Sequence, residues 1–267
     1  MSDPVSQTID ADGTQRWLLY GLPHRTDGPA IIRPDGTEEW RTNGQRHREG
    51  GPAIIDADGT ERWFQKNLLH RDGGPAVVRP DGSEEWWVDG KRHREGGAAV
   101  TTVNGPMQWW VDGQLHREGA PAVIRADGTQ EWLTNGQRHC ADGPAVAWPD
   151  GSEEWWVNGR RHRLDGPAVI GADGAREWWV NGWLHREDGP AVIGANDSQE
   201  WWVNGRLHRE NGPAIIWVNG SKEWWVNGQR HREDGPAIIR ADGTEEWWRG
   251  GVEVDKGNLS MRGLQSP

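Results

Sequence analysis

The sequence predicts an all-β chain, an elongated single-sheet or solenoid-like array of stacked β-hairpins made from about ten 23-residue repeats. Three observations predict it. All ten histidines fall 23 residues apart, from His24, His47, His70 and His93 to His231. Eleven tryptophans keep the same step, from Trp17 through Trp40, Trp63 and Trp86 to Trp247, as does an alanine from Ala30 to Ala237 that is always followed by Val or Ile. Gly-centred pairs such as Asp35-Gly36, Asn43-Gly44 and Asp89-Gly90 punctuate every repeat, and they supply the positive φ angles of tight hairpin turns at low steric cost.

Taken in chain order, residues 1–10 are atypical and are assigned as an N-terminal cap, residues 11–251 carry the tandem repeats, and residues 252–267 drop the motif and form a C-terminal cap or tail. Within a repeat, short segments rich in Trp, Val, Ile and Thr lie between the turns, too short for helices and suited to strands. Two strands per repeat are expected, one like Thr37 to Thr42 and one like Pro52 to Ile55, joined by the longer link Asn43 to Gly51. The first Trp never varies and is expected to be the core column, so Trp40, Trp63 and Trp86 are assigned structural roles. The next position holds Trp seven times and otherwise Leu18, Arg41, Phe64 or Leu133, so this second column is expected to be partly exposed. Where Gly is missing from a turn, Asn67 and the pair Asn196-Asp197 stand in, residue types that also tolerate the left-handed region. With strands about 4.8 Å apart, a two-strand repeat advances roughly 10 Å, so the array is expected to form a rod on the order of 100 Å, with a closed ring as the alternative.

Composition narrows the functional classes. Apolar residues make up 34% of the chain and Trp alone numbers 21, so indole rings must supply much of the buried area. A net charge of −11 argues against direct nucleic-acid binding, which draws on clustered Lys and Arg. Met1 to Ile9 has neither a basic nor an apolar leader pattern and no stretch is long enough for a membrane span, so a soluble cytoplasmic protein is expected. The single cysteine, Cys140, sits where nine repeats have Arg, and it reads as drift rather than as a nucleophile.

The string from Trp40 to His47, or from Trp224 to His231, with Asn-Gly at its centre and His at its end, resembles the MORN repeat in its 23-residue period and closing Asp-Gly turn. The resemblance runs from about Ile9 to Gly251. It implies twisted sheets of stacked hairpins and a scaffold for protein or lipid partners. The chain departs from the family in having Thr-Glu-Glu or similar in place of Tyr-x-Gly before the Trp, and His-Arg-Glu-Asp-Gly-Pro-Ala, as at His231 to Ala237, in place of His-Gly-x-Gly.

No cofactor or metal is expected. Stacked repeats would hold equivalent histidines roughly 10 Å apart, whereas zinc needs nitrogens at about 2.0–2.1 Å from one ion. His47, His70 and His93 are therefore assigned, with Gly44 and Gly90, to holding the link that follows each Asn-Gly turn. A strictly repeated surface offers ten equivalent weak sites rather than one catalytic constellation, so an enzyme is not expected. The second Trp column is the stronger signal, because an exposed aromatic stripe marks an interface. Trp156, Trp179, Trp183, Trp202, Trp225 and Trp248 are assigned as the face for a protein partner or a second copy of the chain. The rival readings are a carbohydrate-binding module that stacks sugars on the same rings and an acidic decoy of a nucleic-acid-binding protein.

Overall fold

The structure, a computed structural model, describes residues 5–255. The chain forms two compact units, Met1–Gln137 and Arg138–Pro267. Among the described residues both are built from β-strands and turns with no helix.

In the N-terminal unit the backbone is an antiparallel ladder of very short rungs. Ile31–Ile32 pairs with Glu38–Glu39, which pairs with Ile54–Ile55, which pairs with Glu61–Arg62. The register sets Glu39 between Ile31 and Ile54. Ser6–Ile9 lies antiparallel to Gln15–Leu19 and adds an outer rung before the first full repeat. The C-terminal unit repeats the pattern, with Glu177 facing Val169 on one side and Val192 on the other.

Rungs within a repeat are joined by the Asp-Gly turn. Thr37 donates its backbone N–H to Asp35 Oδ1 at 2.8 Å, while Gly36 donates to the Arg33 carbonyl at 3.0 Å. The aspartate thus replaces a backbone acceptor and closes the turn from its side chain. Rungs of successive repeats are joined by the longer link, which carries its own two-stranded hairpin. Arg41–Thr42 pairs with Gln45–Arg46 across Asn43 and Gly44, whose φ angles of 49° and 77° are both left-handed, as a type I′ turn requires.

The strand expected from Thr37 to Thr42 is therefore broken at Trp40, and the full repeats after the first have four short strands rather than two, whereas in the first Gln15–Leu19 runs unbroken through Trp17. Trp40 is the junction between two sheets. Its N–H donates to the Ala53 carbonyl at 2.8 Å in the ladder, and its carbonyl accepts from His47 N–H at 3.2 Å below the hairpin. The same pair of bonds recurs at Trp178, with Ala191 and His185.

The deepest column is alanine rather than tryptophan. Ala30, Ala53, Ala76, Ala168 and Ala237 are 0% exposed, and the following residue is buried at Ile31, Ile54, Val77 and Ile238, whereas both Trp columns are half-buried. The reason is backbone proximity: Ala53 donates to the Arg62 carbonyl and accepts from Trp40 N–H, each at 2.8 Å, so the side chain between these neighbours has room for a methyl group. Val252–Glu253 pairs with Trp248–Arg249 across Gly250 and Gly251, so the last hairpin runs past the expected repeat boundary at 251; residues 256–267 of the expected tail lie outside the described residues.

Candidate protein-binding face

Nine of the eleven first-column indoles, all but Trp132 and Trp247, are clamped by the arginine eight residues downstream. The Arg48 guanidinium lies 3.9 Å from the centroid of the Trp40 ring, and Arg71 over Trp63, Arg94 over Trp86 and Arg186 over Trp178 repeat the arrangement at 3.9, 3.9 and 4.1 Å. The same arginine reaches round the link, Arg48 Nη1 donating to the Pro52 carbonyl at 3.3 Å. Trp40, Trp63 and Trp86 thus form the flat faces of cation–π clamps, half-buried beside the alanine column.

The histidines act between repeats. Nδ1 of His24 accepts the backbone N–H of Asn43 at 3.1 Å, His93 that of Asp112 at 3.2 Å and His185 that of Asn204 at 3.2 Å, each 19 residues downstream. The next residue of that turn also reaches back, Gly44 N–H to the Pro23 carbonyl at 2.8 Å and Gly205 N–H to the Leu184 carbonyl at 2.9 Å. Expected to hold the link of their own repeat, all the histidines but His47 fasten the following turn instead. Such a bond requires the Nε2–H tautomer, which leaves that edge free to donate, as from His70 to Asp72 Oδ1 at 3.1 Å. His70 Nδ1 lies 3.1 Å from the backbone nitrogen of Asp89 and 3.0 Å from its Oδ1, so it accepts from the backbone in one tautomer and donates to the carboxylate in the other. At His47 the downstream turn is Lys66-Asn67, and its buried Nδ1 has no partner. Gly44 and Gly90, both at φ +77°, occupy the left-handed position of the turns.

The second column is held by carboxylates. Trp156 Nε1 donates to Glu154 Oε2 at 2.8 Å, Trp179 to Glu177 at 2.7 Å, Trp202 to Glu200 at 2.8 Å, Trp225 to Glu223 at 3.0 Å and Trp248 to Glu246 at 3.2 Å. Each ring also faces a cross-strand neighbour: Arg161 for Trp156, Leu184 for Trp179, Leu207 for Trp202 and Arg230 for Trp225. These indoles are half-buried with their N–H groups satisfied. Trp183, by contrast, is 61% exposed, with its ring against Gly205 of the next turn.

In the N-terminal unit the equivalent carboxylate is deeper. Glu39 is 1% exposed and meets Arg33, Arg41 and Arg46. Burial pushes its carboxyl up, but the bonds and charges of Arg41 and Arg33 outweigh that and hold it below the usual range. Glu85 is held down in the same way by Arg79 and Arg92 against its own burial. The available signal was a Glu before the first Trp in eight of the eleven repeats, together with a recurring Arg in the ladder turn.

Clefts between consecutive links recur with equivalent linings, Arg48, Trp63, His70 and Arg71 in one, Arg163, Trp178, His185 and Arg186 in another. Among the described residues no group of three or more His, Cys, Asp or Glu is placed to hold a metal ion, and no helix is long and apolar enough to cross a membrane. The chain matches no family model, and no curated protein matches it significantly.

Proposed function

We propose that the chain is a non-enzymatic repeat scaffold of the MORN-like type, acting in the cytoplasm, that holds a protein partner along its second tryptophan column from Trp156 to Trp248. The observation that carries this reading is the locking of five successive indoles, each by a Glu carboxylate that accepts its N–H. Rings held in place lose little freedom on binding, so their remaining apolar surface is available to a partner at low entropic cost. The clefts offer one chemistry many times over, mixed Arg, His and acid beside Trp, and a repeated motif of that kind favours extended binding over a single catalytic centre.

The test is affinity capture from the native lysate with the intact chain and with a triple variant, Trp179→Ala, Trp202→Ala and Trp225→Ala. Loss of a partner from the variant supports the reading, provided circular dichroism is unchanged. Equal recovery overturns it.

A further inference from the structure

Eight repeats carry a glutamate before the first Trp, and in six of them the chain's own arginines pair with it, chiefly from two directions, with Arg41 on Glu39 and Arg138 of the preceding hairpin on Glu154 at 3.9 Å as further partners. From the ladder turn, Arg33 pairs with Glu39, Arg79 with Glu85, Arg125 with Glu131 and Arg240 with Glu246. From the hairpin, Arg92 pairs with Glu85 at 3.1 Å, Arg161 with Glu154 at 2.7 Å and Arg230 with Glu223 at 3.4 Å. Each hairpin guanidinium lies between two consecutive second-column rings. Arg92 is 5.0 and 5.3 Å from the centroids of Trp87 and Trp110, and Arg161 is 5.4 and 5.3 Å from those of Trp156 and Trp179. The molecule thus shows repeatedly what this combination of carboxylate and indoles accepts.

Glu177 and Glu200 have neither cation. The ladder-turn arginine is replaced by Gly171 and Gly194, and the hairpin arginine by Leu184 and Leu207. Among the described residues each carboxylate is half-buried beside its indole N–H, at 2.7 Å for Glu177 and 2.8 Å for Glu200, with no Lys or Arg in ion-pair contact. The two glycines bring no side chain of their own to the ladder-turn approach, where the acceptor oxygens of the turn stand instead, Asp173 Oδ1 beside Gly171 and Asn196 Oδ1 and Ser198 Oγ beside Gly194; Trp148 and Trp217 occupy the same slot one repeat to either side. A half-buried carboxylate with one neutral donor is a strong acceptor for a further charge-assisted bond.

We propose that Glu177 and Glu200 receive two guanidinium or ammonium side chains from an extended basic segment of a partner protein, entering over Gly171 and Gly194. This rests on the protein-partner reading above and names the partner's chemistry. Equivalent positions in successive repeats are two rungs apart, roughly 10 Å, which an extended or polyproline segment spans in about three residues. The favoured pattern is therefore two cations three positions apart.

The experiment titrates the full chain with a fluorescein-labelled Ser-Arg-Pro-Pro-Arg-Ser peptide, followed by anisotropy, and with the same peptide carrying citrulline for both arginines. Saturable binding is expected, weakened about tenfold or more by citrulline or by E177Q with E200Q, the change corresponding to the loss of about one charge-assisted bond. G171R with G194R, and separately L184R with L207R, supply the cation from the chain itself as other repeats do; both are expected to stay folded and to lose the peptide. E187Q with E210Q removes the same net charge from exposed positions and is expected to leave affinity within about twofold, since exposed charges act weakly. The proposal is overturned if binding is not saturable, if citrulline binds equally, if both folded arginine variants still bind, or if E187Q with E210Q weakens binding as much as the paired site change. A native partner lost with the Trp triple variant but kept by both arginine variants would sink this inference and leave the scaffold reading standing.

Discussion

The two units run the same 23-residue pattern with different charge placement. In the N-terminal unit the residue before the first Trp alternates in sign over the first four repeats, and its ladder-turn partner alternates with it: Asp10 with Arg16 at 2.6 Å, Arg33 with Glu39, Asp56 with Arg62 at 2.9 Å, Arg79 with Glu85; the fifth pair, Thr102 and Gln108, is neutral. In the C-terminal unit the residue is always glutamate, from Glu154 to Glu246, and the ladder-turn position is Trp148, Gly171, Gly194, Trp217 and only then Arg240. Glu39, Glu85 and Glu131 are buried, whereas Glu154, Glu177, Glu200, Glu223 and Glu246 are half-buried. The same local geometry can thus be closed by internal ion pairs or left able to accept charge from outside. Equivalent positions in neighbouring repeats lie roughly 10 Å apart, so alternating signs attract across repeats while a run of like charges does not.

The largest expected effect is on the closed column. Glu39→Gln strands the guanidinium of Arg41 beside a neutral amide and is expected to cost about 2–4 kcal/mol, whereas Glu177→Gln, which has no cation to strand, is expected to cost under about 1 kcal/mol. Urea unfolding of the full chain, with hydrogen exchange assigning the loss to one unit, measures both. Equal costs would break the comparison.

Next in size is the response to acid. Glu39 and Glu85 sit below the ordinary carboxylate range because their arginines outweigh burial, and Asp35, Asp58, Asp81 and Asp127 sit below it because each accepts the backbone N–H of the residue two positions on. A carboxylate lowered by folding contributes stability that is present above its unfolded value, about pH 4, and is lost as the pH falls through the lower folded value. Asp56 runs the other way: burial raises it, only partly offset by Arg62, so its charged form opposes folding as the pH rises. In the C-terminal unit Asp165, Asp188, Asp234, Asp242 and Glu246 share the downward shift, and none of these is buried. Below about pH 4 the ladder amides of the N-terminal unit should therefore lose more exchange protection than those of the C-terminal unit. Equal loss would show that the buried pairs contribute nothing beyond the turn aspartates.

Smaller effects sharpen the comparison at single junctions. Arg48→Ala and Arg186→Ala remove the same clamp from Trp40 and Trp178 and should cost each unit a similar amount, about 1 kcal/mol, read from urea midpoints. The smallest change is a gain. Lys66→Asn with Asn67→Gly restores the consensus turn beneath His47, whose buried Nδ1 has no donor, in exchange for the bond from Arg46 N–H to Asn67 Oδ1 at 2.7 Å. It should stabilise the N-terminal unit by a few tenths of a kcal/mol, about the net of one hydrogen bond formed and another lost. A loss of stability would mean that the Asn67 side chain already serves that junction better.

Much of the fold was legible in the sequence because turn chemistry is local. Asn43-Gly44 and Asp35-Gly36 announce their backbone angles regardless of what surrounds them, and the short β-branched runs between them suit strands. Invariance misled at Trp40, which was expected to mark the deepest column but marks the junction between ladder and hairpin; the deepest side chain is the neighbouring alanine, constrained by backbone contact. Of the face expected from Trp156 to Trp248, the recurrence was legible. The carboxylate holding each indole was not, because Glu177 and Trp179 resemble an ordinary solvated pair until the ladder half-buries both.

By itself the sequence determined the period, the turn types, the all-β class and which side chains recur in columns, since each depends on residues within a few positions of one another. Tertiary structure decided which column meets which. His185 reaching Asn204 and Arg161 lying between Trp156 and Trp179 depend on the offset at which one repeat lies against the next. A period states how often a residue returns; only packing states which residue of the next repeat it will touch.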